Sequence, residues 1–163
     1  MAIVEVRQAI KLLRDFLGRN KSIPSERVER FCGKLEQLLC TRYKNHWHPE
    51  RPHKGSAYRC LRMSDRLMDP VIALAAMESE VSKEDIKSTL PTELTVWIDP
   101  FEVSYRIGED GSICQLFVST EEDMKEESKR NMAPVSPALC RVESLSGKGF
   151  ENPKETLQEC MSG

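Results

Sequence analysis

Aromatic residues are confined almost entirely to the first two thirds of the chain. Nine of the ten Phe, Trp and Tyr residues precede Val118, and only Phe150 follows it. Beyond Val118 the apolar residues are isolated, and the charge run EEDMKEESK occupies 121–129. Such a segment buries too little surface to offset the entropy lost on ordering. We therefore expect a folded domain over 1–118 and a mostly disordered tail over 119–163, with a helix in the charge run as the main exception.

Two amphipathic helices open the domain. Apolar residues recur at steps of three and four from Ile3 to Leu17, and Gly18 supplies a stop signal. A second apolar stripe follows Pro24 and continues toward Tyr43. Because the connection between the two helices is short, we expect an antiparallel pair. The second stripe consists of Val28, Phe31, Cys32, Leu35, Leu38 and Leu39.

The second helix also contains an L-x-x-L-L pattern, formed by Leu35, Leu38 and Leu39. Helices with this pattern dock in the grooves of coregulator partners. The same leucines complete the stripe that faces the predicted core. Core packing is therefore the simpler interpretation, and partner docking is the alternative.

The segment YKNHWHPERPHKGSAYRCLRM, residues 43–63, contains all three histidines and is locally basic. Its prolines fit an irregular loop, and no second Cys/His pair has zinc-finger spacing, so we expect no metal site. Between 41 and 66 there are seven Lys and Arg residues against two acids. A phosphate-binding loop would need a glycine framework that is missing here. The sequence predicts a solvated basic loop followed by a strand over 57–63.

Two short helices and a strand follow this loop. Asp69-Pro70 opens one helix, and Ser82 begins a capping-box pattern for another. In the strand LTVWIDP, alternation places Leu94, Val96 and Ile98 on one face and Thr95, Trp97 and Asp99 on the other. With the aliphatic residues in the core, Trp97 lies on the outer face beside a carboxylate. It is then either an interaction surface or a residue covered by a second layer such as the 43–55 loop.

The sequence FEVSYRI-GEDG-SICQLFV predicts a β-hairpin. A four-residue loop pairs Tyr105 with Cys114 and Val103 with Leu116, which collects the apolar residues on one face. The chain is thus expected to be α+β: an N-terminal antiparallel helix pair plus short helices packed on one face of a small, mainly antiparallel β-sheet.

Composition and motifs argue against several classes of function. The net charge of −2 does not suit a protein whose whole surface grips nucleic acid, and the apolar runs are too short for a membrane span. A Cys–His pair could be drawn from Cys60 and His46 or His48, with Asp69 or Asp99 as the orienting group. Nothing in the sequence marks that cysteine as activated. We expect neither an enzyme nor a cofactor.

Two long stretches resemble the signature boxes of the anti-proliferative BTG/Tob family. YKNHWHPERPHKGSAYRCLRM, residues 43–63, is similar to box A, and LPTELTVWIDPFEVSYRIGEDGSICQLF, within 90–117, is similar to box B. The preceding helix pair matches as well, so that the resemblance covers 1–118. The GEDGSIC turn and the short tail resemble the short-tailed branch of the family.

This resemblance implies a non-catalytic adaptor that binds the Caf-type deadenylase subunit of the Ccr–Not complex. Such an adaptor promotes mRNA deadenylation, restrains cell proliferation, and is expected in the cytoplasm and nucleus. An alternative is a transcriptional coregulator that binds transcription factors through the L-x-x-L-L helix or the basic loop, without sequence-specific nucleic-acid binding of its own. Carried over by position, the deadenylase-facing residues are Tyr58, Asp69, Trp97, Asp99 and Glu109.

The tail departs from the family pattern. Ser136-Pro137 keeps a proline-directed phosphorylation site, but the segment linked to poly(A)-binding protein does not match. Binding of that protein, or of an arginine methyltransferase that family members contact, therefore has little support in this sequence.

Overall fold

The computed structural model describes residues 2–123 and 125–126. Five helices and four strands are formed over 2–118. In chain order they are α1 (Ile3–Leu17), α2 (Ser25–Tyr43), α3 (Ser56–Arg59), β1 (Leu61–Met63), α4 (Pro70–Glu78), α5 (Lys83–Thr89), β2 (Leu94–Asp99), β3 (Glu102–Ile107) and β4 (Cys114–Val118). None of the described helices is long and apolar enough to cross a membrane.

The core lies between the helices and one face of the sheet. Helix α1 packs on α2 and also lies across β2, β3 and β4, while α4 packs on the other side of α2. The stripes that predicted these helices are buried, from Val6 on α1 to Phe31 on α2. The predicted α+β class, with a helix pair and an antiparallel sheet, is confirmed.

All four strands are antiparallel and follow the order β1-β2-β3-β4. Tyr105 pairs with Cys114, as the hairpin pattern predicted. The predicted pairing of Val103 with Leu116 is wrong, because a bulge between Val103 and Ser104 pairs Val103 with Phe117. One extra residue on β4 therefore shifts the register over the second half of the hairpin.

The strand predicted over 57–63 is also wrong in its first half. Gly55 adopts a left-handed conformation (φ 78°), its carbonyl accepts hydrogen bonds from the backbone of Tyr58 and Arg59, and the single helical turn α3 results. Only Leu61–Met63 pairs with β2. This turn directs the Arg59 side chain into the interior, where it is fully buried.

Ser82 is the N-cap of α5, as predicted, and its hydroxyl forms the first half of the capping box. The Ser82 hydroxyl oxygen accepts from the Asp85 backbone nitrogen at 3.0 Å and donates to the Asp85 carboxylate at 2.8 Å. Asp69 likewise caps α4 by accepting from the Val71 nitrogen at 3.0 Å. Both helices thus begin where the sequence placed their N-caps.

The predicted tail is described only over 119–123 and 125–126. Residues 121–123 and 125–126 are helical, and the Thr120 hydroxyl donates to the Asp123 carboxylate at 2.7 Å. The helix expected in the charge run therefore begins at 121. Ser136 lies outside the described residues.

Candidate protein-docking surface

Trp97 lies on the outer face of the sheet, as strand alternation predicted. Its neighbours Val96 and Ile98 are buried in the core, at 1% and 0% exposure, whereas Trp97 is only half-buried. The Arg106 guanidinium lies over its ring, with Cζ 5.7 Å from the ring centroid. The indole is thus held against a cation on one side while part of its surface faces solvent.

The 43–55 loop has its own aromatic contacts. Trp47 stacks on Tyr43, with ring centroids 6.2 Å apart, and the Arg59 guanidinium lies 5.5 Å from the Trp47 centroid. Trp47 therefore packs against the core, in contrast to Trp97. Both tryptophans are half-buried, so the choice between an interaction surface and a covered residue at Trp97 stays a prediction.

Asp99 is committed to an internal ion pair. One carboxylate oxygen lies 2.5 Å from the Arg59 guanidinium, and the other accepts from the Ser56 hydroxyl at 2.6 Å. The Arg59 side chain is fully buried, and Asp99 is the acid that neutralises its charge. A buried guanidinium without such a partner would be strongly destabilising. Asp99 thus fixes α3 against the end of β2.

Arg59 also organises the loop that precedes it. Its guanidinium donates to four backbone carbonyls at 2.7–3.0 Å. These carbonyls belong to His46, Pro52, Lys54 and Ile98. The arginine that contributed to the predicted basic loop is therefore an internal tie between that loop and the sheet, and no local sequence signal distinguishes it from the solvated cations around it.

Tyr58 and Asp69 are brought together by Arg42 of α2. The Arg42 guanidinium lies 3.3 Å from the Asp69 carboxylate, donates to the Tyr58 carbonyl at 2.8 Å, and lies 4.9 Å from the Tyr58 ring centroid. The other neighbour of that ring is His46, with centroids 4.1 Å apart. Tyr58 remains 43% exposed, and Asp69 is buried. Asp69 acts through Arg42 to orient the tyrosine.

Glu109 lies apart from the other four predicted residues. It is exposed in the turn after β3, whereas Asp99 lies at the opposite end of the same sheet. Leu94 and Asp99 are five residues apart on β2, which is about 16 Å along the strand. Glu109 lies two residues after Ile107, the cross-strand partner of Leu94, and is therefore at least this far from Asp99 along the sheet. The five residues are thus spread over the sheet: Asp99 lies at one end, Glu109 lies beyond the other, and Asp69 lies beside Arg62, in the row of Thr95.

The L-x-x-L-L residues are part of the core. Leu35 and Leu39 have 0% exposure, and Leu38 packs partly buried against the same cluster. A coregulator groove could reach them only if α2 left the core. The core-packing interpretation therefore describes this motif in the folded domain.

The residues considered for metal binding and the Cys60 thiol can be compared with what such chemistry requires. In the described part of the chain, no group of three or more His, Cys, Asp or Glu side chains could hold a metal ion. Burial raises the pKa of the Cys60 thiol above its usual value, and the thiol lies 3.2 Å from the Ala57 carbonyl. A nucleophilic cysteine needs a lowered pKa, so this environment opposes thiolate formation.

The half-buried Trp97 on the outer face of the sheet, together with the exposed Tyr58 ring held by Arg42, forms the candidate docking surface. A sequence model of the BTG family matches residues 2–117, and the chain belongs to this family of anti-proliferative regulatory proteins. Protein BTG1 of Homo sapiens is 43% identical over 148 residues, which cover 90% of this chain and 85% of that protein. Protein BTG2 of Homo sapiens is 45% identical over 113 residues, or 69% of this chain and 71% of that protein.

The similarity extends to the long-tailed branch and to a solved structure. Protein Tob2 of Homo sapiens is 40% identical over 164 residues, which cover 98% of this chain and 47% of that protein. A C. elegans FOG-3 BTG/Tob domain superposes with a TM-score of 0.67 at 23% identity, covering 78% of this chain and 98% of that domain. The structural neighbour supports the fold, and the sequence relatives establish the family.

Proposed function

We propose that this protein is a non-catalytic adaptor that binds the Caf-type deadenylase subunit of the Ccr–Not complex. In this role it promotes the shortening of mRNA poly(A) tails and restrains cell proliferation, and it acts in the cytoplasm and the nucleus. Family membership supports the proposal. The residue types carried over from the family at Tyr58, Asp69, Trp97, Asp99 and Glu109 support it as well.

The observation that carries the proposal is the position of Trp97. The inner face of β2 is filled by aliphatic side chains, so the indole contributes little to the core. Tryptophan is the residue type most enriched among interface hot spots, where a partner pocket removes its apolar surface from water. Trp97 is therefore the apolar anchor of the interface.

The two aspartates support this anchor rather than supply bare negative charge. Asp99 is paired with Arg59, and Asp69 is paired with Arg42. Tyr58, which Arg42 orients, and Glu109 in the exposed turn are the groups available for direct contact. A surface fixed in this way loses little conformational entropy on binding.

The proposal is tested by measuring the affinity of the purified deadenylase subunit for the full chain and for Trp97→Ala. We expect the substitution to cost at least about 2 kcal/mol, a roughly thirtyfold loss of affinity, as truncation of a central aromatic does. The matched control is Met77→Ala, which removes a side chain that is 68% exposed on α4, away from the sheet. Unchanged affinity of a folded Trp97→Ala protein would refute the proposal.

The coregulator alternative has less support from the described residues. The burial of Leu35 and Leu39 removes the helical motif from the surface, and Arg42 and Arg59 of the basic segment are engaged internally. Contacts with poly(A)-binding protein or an arginine methyltransferase, and modification of Ser136, fall on a tail outside the described residues.

A further inference from the structure

Two arginines share one cross-strand row on the outer face of the sheet. The register pairs Arg62 of β1 with Thr95 of β2, and Thr95 with Arg106 of β3. Paired residues point to the same face, and neighbouring strands lie about 4.8 Å apart. Arg62 and Arg106 therefore flank Thr95 with backbones about 10 Å apart, two residues along β2 from Trp97.

Neither arginine is neutralised within the described residues. The ion pairs found there involve other arginines, such as Arg42 and Arg59 with their aspartates. Arg62 is exposed. Arg106 lies over the Trp97 ring, and its Nε is buried without a hydrogen-bond partner in the described part of the chain.

Asp99 and Glu102 lie at the far end of this face, two rows beyond Trp97 and away from the arginine row. Asp99 forms its ion pair with Arg59. Glu102 lies opposite Asp99 in the cross-strand register, and this row is two residues from Trp97 in the direction away from Thr95. The outer face is thus polar along the strands, with an acidic row at one end, Trp97 in the middle and the arginine row at the other end. A partner must match this order, and charge order sets orientation and specificity.

We propose that Arg62 and Arg106 form a carboxylate-binding row that takes acidic side chains of the deadenylase subunit beside the pocket for Trp97. The inference rests on the proposed function and adds the chemistry of the partner surface. Guanidinium groups bind carboxylates through two parallel hydrogen bonds, and arginine retains this geometry when stacked on an aromatic ring. The buried Nε shows that Arg106 is already partly desolvated, so a partner carboxylate gains more from it than from a solvated lysine.

The test measures affinity and its salt dependence for the full chain with the purified deadenylase subunit. The variants are Arg106→Met, which keeps an apolar cover on the Trp97 ring without the charge, and Arg62→Gln. Each is expected to weaken binding by about tenfold, or 1.4 kcal/mol, and to reduce the salt dependence of the affinity. The control Arg66→Gln removes an exposed arginine outside the row and is expected to bind within about twofold of the parent protein.

Two outcomes would overturn the inference. If Arg106→Met and Arg62→Gln bind within twofold of the parent while Trp97→Ala loses affinity, the row is not a contact and the proposed function stands. If Arg106→Met weakens binding with unchanged salt dependence, Arg106 only holds the ring in place. Parent-like binding of Trp97→Ala would instead reject the proposed function itself.

Discussion

Asp99→Ala removes the acid that neutralises a fully buried guanidinium. The Arg59 side chain is 0% exposed and lies 2.5 Å from an Asp99 oxygen, while the Asp99 side chain is 14% exposed. Removing one partner of a buried ion pair costs about 3–5 kcal/mol. In Asp99→Ala the Arg59 guanidinium would still donate to four backbone carbonyls, and the position of Asp99 is close to solvent. We therefore expect a loss at the lower end of this range, about 3 kcal/mol in the free energy of unfolding. For a domain of this size that corresponds to roughly 12 °C in Tm.

The assay is thermal and urea unfolding of the parent protein and three variants. Asp99→Asn keeps one accepting oxygen for Arg59 but loses the charge and replaces the second acceptor by an NH2 donor, so it is expected to cost about 1.5 kcal/mol. Glu102→Ala, which removes an acid from the same cross-strand row, is expected to change stability by less than about 0.5 kcal/mol. If Asp99→Ala unfolds within about 0.5 kcal/mol of the parent, the Arg59–Asp99 pair does not hold the fold together, and the reasoning fails.

Two further predictions concern stability. Glu80 follows α4 with φ 56°, a conformation that glycine adopts more easily than glutamate. Glu80→Gly is therefore expected to raise the free energy of unfolding by about 0.5 kcal/mol, after allowing for the loss of the exposed ion pair with Arg30. The reverse control is Gly108→Ala, at φ 80°, which is expected to lower the free energy of unfolding by about 1 kcal/mol. A destabilised Glu80→Gly would contradict this. Burial raises the pKa of the Tyr43 phenol, whose hydroxyl donates to the Arg59 carbonyl at 2.5 Å. The protonated phenol stabilises the fold fully below the unfolded pKa near 10, and this contribution falls by about 1.4 kcal/mol per pH unit above it. Urea unfolding between pH 9 and 11.5 is therefore expected to show a smaller loss of unfolding free energy with pH for Tyr43→Phe than for the parent protein. An equal loss in the two proteins would refute the raised pKa of Tyr43.

Most helices and strands could be predicted from the sequence, because hydrophobic periodicity and capping residues depend only on neighbours within a few positions. The apolar stripe from Ile3 to Leu17 marks α1, and the alternation in β2 places Trp97 on the outer face before any coordinates are known. The bulge between Val103 and Ser104 was not predicted, because the sequence pattern of β4 does not show whether Val103 pairs with Leu116 or with Phe117.

The internal contacts of the predicted site residues could not be predicted from the sequence. Family resemblance marks Asp99 and Asp69 as partner-facing acids, yet each is bound to an arginine of its own chain. The Arg59–Asp99 pair joins residues 40 positions apart, and no periodicity or propensity encodes such a contact. A buried arginine is also the exception among charged residues, so its sequence context predicted a solvated loop instead.

These internal pairs change what an affinity loss at the aspartates would mean. An alanine at Asp99 frees α3, which carries Tyr58, and an alanine at Asp69 frees Arg42, which orients the same ring. Both substitutions would therefore weaken binding even if neither carboxylate touched the deadenylase. The two roles separate when affinity and stability are plotted together: a supporting residue loses both in proportion, whereas a contact such as Trp97 loses affinity alone. Because both are paired with arginines of their own chain, Asp69 and Asp99 are expected to behave as supporting residues, and Trp97, Arg62 and Arg106 as contacts of the proposed interface.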